Sequence, residues 1–143
     1  MENPTTELLS GIYKLSQTGI EAVESVIPKA EPEGLKKELL SQYSDYKDAS
    51  AASEQGLLAR GYEPKDLNPL QKAVMWGSIQ LHTLKDSSAD SIADMMITGT
   101  TKGIVDLTKH INTCQNAEKS VIDFAEGFVA AEQKHIDRLK EFL

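Results

Sequence analysis

Apolar residues recur along this chain at intervals of three and four. Leu8, Ile12, Leu15, Gly19, Ala22 and Val26 fall on one face of a helix. Asn3-Pro4 supplies a cap and a first-turn proline, and Pro28 breaks the pattern, so the first helix is predicted from about Pro4 to Ile27. A second segment, from about Pro32 to Arg60, carries Leu35, Leu39, Gln42, Tyr46, Ala49, Ser53 and Gly56 on its stripe. Gly61 follows it, suited to the left-handed residue after a helix end. The run from Gly61 to Pro69 is rich in breakers. Asn68-Pro69 then opens a shorter helix to about Leu84, with Leu70, Val74, Gly77 and Leu81 on its stripe and Trp76 beside them.

A third long helix is predicted from Ser87 or Ser88, where Ser87 and Asp90 resemble a capping box. Ile92, Met96, Gly99 and Gly103 form its stripe, and Leu107 and Ile111 its apolar flank. The last helix begins near Ala117 and runs to the chain end through Val121, Ala125, Phe128, Glu132, His135, Leu139 and Phe142. No useful length alternates with period two, so no sheet is expected.

The connections set the topology. The second helix is about 29 residues, or roughly 43 Å at 1.5 Å per residue. Residues 61 to 86 separate it from the third, far more than the roughly two to eight residues of an up-and-down bundle. Short, long, short connections predict an all-α, ferritin-like four-helix bundle with a short extra helix in the crossover between helices 2 and 3. The competing arrangement is a five-helix array with the short helix packed on one end. The whole chain, residues 1 to 143, reads as one domain.

Particular stretches carry a resemblance. Pro69-Leu70-Gln71-Lys72-Ala73-Val74-Met75-Trp76-Gly77-Ser78-Ile79-Gln80, then Ile92-Ala93-Asp94-Met95-Met96-Ile97-Thr98-Gly99 and Gly103-Ile104, resemble a group of uncharacterised ferritin-like four-helix-bundle proteins of bacteria. The resemblance implies the fold and a cytoplasmic location. It implies no activity.

Charge narrows the partners. A net charge of −7, with basic residues interleaved among acids, argues against nucleic acid. No apolar run approaches the roughly 18 residues of a membrane span, and no leader-like segment opens the chain, so a cytoplasmic protein is expected. The single cysteine, Cys114, lies in a polar turn without an evident activating neighbour and reads as a spectator thiol. Trp76 on the short helix suggests an apolar outer surface and a homodimer.

Candidate chemistry centres on Glu132-Gln133-Lys134-His135. Ferritin-like metal sites take Glu-x-x-His from two helices and a Glu from each of two others. Glu132 and His135 both fall on the apolar stripe, so they are the metal candidates, for iron or manganese. The second helix supplies no histidine, only Gln42 and Tyr46 on its stripe with Asp45 and Asp48 nearby. Glu21 and Glu24 lie off the stripe of the first. With the ligand set incomplete, the expectation is a polar core contact: Glu132 and His135 bonded to each other, Tyr46 or Gln42. No cofactor and no catalytic residue is assigned. Asp106 and His110 form a second inward-leaning pair, read as a helix-end ion pair, and His82 a lone surface histidine. Gly99 and Gly103 read as a close-packing site; a ligand pocket floored by bare backbone is the rival.

The favoured function is therefore a non-enzymatic bundle acting by self-assembly or partner binding. The alternative is a degenerate or single-metal ferritin-like protein or oxidoreductase using Glu132 and His135.

Overall fold

In the computed structural model, which describes residues 3–65 and 87–143, four α-helices run through the described residues: α1 (Pro4–Val26), α2 (Glu33–Ala59), α3 (Ala89–Thr113) and α4 (Lys119–Leu139). Short 3₁₀ turns follow α1 at Ile27–Lys29 and α4 at Lys140–Phe142. No strand occurs among the described residues, and none of their helices is long and apolar enough to cross a membrane.

Local chemistry sets the helix ends. The Asn3 side chain accepts from Thr6 N, and Asn3 N donates to Thr6 Oγ1, a reciprocal capping box ahead of Pro4. At the other end of α2, Gly61 has φ of 71°. Gly61 N donates to the Leu58 carbonyl and Tyr62 N to that of Leu57, which satisfies two orphan acceptors in a Schellman turn. The start of α3 departs from the expected capping box: the N-cap is Ser88, it makes no capping hydrogen bond, and its hydroxyl bonds the Asp90 carboxylate instead.

Side chains at the interfaces give the helix directions. On α1 and α2, Gln17 Nε2 donates to Ser50 Oγ at 2.7 Å, while Gly56 faces Leu9 and Gly19 faces Tyr46, so the two run antiparallel. Gly11 faces Leu107 and Gly103 faces Leu15, so α3 is also antiparallel to α1. At the α3–α4 turn, Glu118 N donates to Thr5 Oγ1, and further along α4 Glu132 meets Tyr46 of α2. The order is up, down, down, up, and Ala59 and Ala89 lie at opposite ends of the bundle.

α1 and α4 each pack on all three other helices, while α2 and α3 sit at opposite corners. The core joins Leu8, Ile12 and Val23 of α1, Leu35, Leu39 and Leu57 of α2, Ile92 and Leu107 of α3, and Ala125 and Leu139 of α4. The expected short helix from Asn68 to Leu84, with Trp76 and His82, lies outside the described residues.

The glycine pair of α3 differs from expectation. Gly99 is exposed, and a Cβ there would meet nothing within 4 Å; one at Gly103 would only touch Leu15 Cδ2 at 3.4 Å. The buried face of α3 is centred on Met96, Thr100 and Leu107, and Gly99 lies at its edge. The close approach occurs on α1, where a Cβ at Gly19 would overlap the Tyr46 ring.

Candidate functional site

Polar groups concentrate in the seam between α2 and α4. Residues 38, 42 and 46, with 45 beside the last, sit one turn apart on α2, and 132, 135 and 138 do the same on α4, so antiparallel packing brings the two rows together. Glu38, Gln42, Tyr46, Glu132 and His135 are all buried, His135 and Gln42 completely.

His135 is held on both sides. Its Nδ1 lies 2.7 Å from Glu38 Oε1 and its Nε2 lies 2.7 Å from Asp45 Oδ2. Ionised carboxylates only accept hydrogen bonds, so the ring that serves both carries a proton on each nitrogen. Arg138 Nε donates to the other oxygen of Glu38 at 2.7 Å. Arg138 Nη2 also lies 3.0 Å from His135 Nδ1, but a guanidinium cannot accept. That approach is a contact between two donors converging on Glu38. Two carboxylates thus face two cations, and the cluster balances its own charge. Asp45 is half exposed and Arg138 nearly so, so the cluster is deep at Glu38 and His135 and wet at its margins.

Glu132 belongs to a second chain of bonds. Tyr46 OH donates to Glu132 Oε2 at 2.6 Å, and Gln42 Nε2 donates to Tyr46 OH at 2.9 Å. Gln42 Nε2 also donates to Thr100 Oγ1 of α3 at 3.0 Å, which ties the two distant corners of the bundle together. Gln42 Oε1 is buried without a hydrogen-bond partner among the described residues. Burial pushes the Glu132 carboxyl up to about 7, against the Tyr46 hydrogen bond and the attraction of His135, with the Asp45 charge adding to the rise. Tyr46 is pushed well above its usual range by burial first and by Glu132 second, so its phenol stays a donor.

Of the expected contacts, that of Glu132 with Tyr46 is formed and that of Glu132 with His135 is not: Tyr46 takes Glu132, while Glu38 and Asp45 take His135. Glu38 and Arg138 escaped the sequence reading. The signal was there in the seven-residue spacing of Glu38 and Asp45 and in Arg138 one turn after His135. For metal chemistry the directions are unfavourable. The two His135 ring nitrogens point in diverging directions, each toward a different carboxylate, and no three His, Cys, Asp or Glu side chains among the described residues converge as a cage.

The other candidates separate. Asp106 pairs with Lys102 Nζ at 3.1 Å, one turn back, and His110 is exposed, so the inward Asp106–His110 pair is not formed. Tyr43 is half-buried, donating to Glu24 with Lys47 over its ring. Cys114 is buried at the C-cap of α3, its thiol facing Glu7 Oε2 at 3.4 Å. Burial, then that carboxylate, pushes the thiol up.

No protein-family model, curated protein or solved structure matches this chain.

Proposed function

We propose that this chain is a ferritin-like helical bundle without enzymatic activity, a scaffold that works by self-assembly or by binding a partner protein. The observation that carries the reading is the commitment of both His135 ring nitrogens to Glu38 and Asp45, with Arg138 completing the charge balance. In a ferritin-like bundle the inward Glu-x-x-His would ligate metal. Here an internal ion cluster uses those same donors to join α2 to α4. The up, down, down, up order of the helices supports the ferritin-like assignment, as does the resemblance carried by residues 69–80, 92–99 and 103–104.

The reading makes a joint test available. Elemental analysis of protein purified without a metal-affinity tag is expected to show no stoichiometric iron or manganese, and the melting temperature is expected to be unchanged by a chelator. Stoichiometric metal whose removal lowers the melting temperature would establish the degenerate metalloprotein built on Glu132 and His135 instead. Sedimentation is expected to show a homodimer; a monomer at all concentrations would remove self-assembly and leave partner binding.

A further inference from the structure

The cluster at the α2–α4 seam contains one acid too many. Glu38 and Asp45 are matched by His135 and Arg138, in direct contact and on both sides of the imidazole. Glu132 is four per cent exposed and lies beyond that balanced set. Among the described residues its one hydrogen-bond donor is the Tyr46 hydroxyl, a neutral group. We propose that Glu132 is a proton-binding site that governs closure of the seam: the protonated carboxyl lets the C-terminal half of α4 seat on α2, and ionisation loosens it.

The groups facing Glu132 decide the sign. From α2 come Tyr46, bonded to it, and Asp45, whose negative charge opposes ionisation. On α4 itself, His135 attracts the carboxylate, but that cation is already engaged by two other acids, and Arg138 acts only through Glu38. From α3 the nearest member of the network is Thr100, reached through Gln42, and from α1 it is Gly19 against the Tyr46 ring; neither carries charge. Burying an ionised carboxylate with one neutral donor is costly, and taking up a proton removes the cost. Burial holds this carboxyl near 7, so the protonation change falls close to neutrality.

The surroundings show what would move. Beyond Glu132, α4 is tied to α2 by His135 and Arg138, and the following 3₁₀ turn lays Phe142 against Gly34 at the start of α2. An uncompensated charge at Glu132 acts at the root of this whole stretch. The inference rests on the geometry of the seam and stands whether or not the bundle works as a scaffold.

The test is backbone amide exchange of the intact chain, read for residues 128–139 and corrected for the intrinsic pH dependence. A carboxyl near 7 when closed and at its ordinary 4.5 when open predicts that Glu132 by itself raises the opening equilibrium roughly thirtyfold between about pH 5.5 and pH 8.5. Set against Glu132→Gln, which cannot ionise, the wild-type rise is expected to be roughly thirtyfold larger, because any group that titrates alike in both proteins cancels from that ratio. Equal rises in the two proteins assign the effect to another group and overturn the proposal, as does a wild type with no rise. Should E132Q fail to fold, carboxyl carbon NMR of the wild type decides alone: a Glu132 midpoint near 7 supports the proposal, and one in the usual carboxylate range overturns it.

Discussion

The Tyr46 ring occupies the space that any side chain at position 19 would need. Gly19 is buried on α1, and a Cβ there would fall within 2.6 Å of three ring carbons. The ring cannot swing aside cheaply, because its hydroxyl is bonded to Gln42 and Glu132 and its face meets Phe128, with centroids 6.2 Å apart. Gly19→Ala is therefore expected to cost about 3 kcal/mol, at the upper end of the overpacking range, despite the better helix propensity of alanine. Chemical denaturation of the two proteins measures it. A loss below about 1 kcal/mol would mean that α1 and α2 separate more easily than this contact allows.

Gly99 is the opposite case. It lies within α3 with open space around its Cα. Alanine there should gain the usual helix-propensity difference, about 0.5–1 kcal/mol, with nothing to crowd. A rise in melting temperature for Gly99→Ala, set beside the fall for Gly19→Ala, would separate the two glycines by role. A fall at position 99 would indicate a contact on that face.

Cys114 offers a check on burial. The thiol is raised by burial and faces the Glu7 carboxylate, so little thiolate forms at neutral pH. Native protein is expected to react with an aromatic disulfide reagent at least about a hundredfold more slowly than denatured protein, since access requires opening of the α3–α4 turn. Comparable rates in the two states would place the thiol at the surface.

The helices were legible because their signals are local. Spacings of three and four mark the stripes, Asn3-Pro4 and Gly61 mark ends, and each lies within a few residues of what it determines. The seam was legible only in part. Tyr46, Gln42, Glu132 and His135 fall on apolar stripes and so announce themselves as buried polar groups. Glu38 falls beside the stripe, at the edge of Leu35 and Leu39, where an acid usually meets water. Its burial depends on Arg138 arriving from α4, a fact of helix register that no periodicity contains. The glycines fail for the same reason: Gly19, Gly99 and Gly103 all read as inward, and only the neighbouring helix decides which one meets a ring.

Tyr46→Phe should be pH-dependent in a defined direction. The hydroxyl favours the ionised form of Glu132, and its loss drives that carboxyl higher still. A group raised in the folded state stabilises fully below its unfolded value and loses that contribution as pH rises through the folded value. The variant is thus expected to cost about 1 kcal/mol near pH 5, where Glu132 is neutral, and roughly 2–3 kcal/mol near pH 8, where a bond to a charged acceptor is lost. Urea denaturation at the two pH values measures the difference. Equal costs would mean that Glu132 does not change protonation between them.

His135→Leu tests the ion cluster itself. Removing one member of a buried charge set commonly costs about 3–5 kcal/mol, because the remaining charges lose their partner. Asp45 is half exposed and can turn to water, which lowers the cost. Glu38 cannot, since it is buried and would keep only Arg138. A loss of about 3 kcal/mol at neutral pH is expected, rather than the near-neutral exchange that a lone histidine with solvent-accessible partners would give. The double variant His135→Leu/Glu38→Leu separates charge from shape. It removes the stranded carboxylate together with the ring and leaves Arg138 free to reach water, so most of the lost stability should return. If the double variant is instead worse than the sum of the two single changes, the seam depends on the packing of these side chains and not on the pairing of their charges.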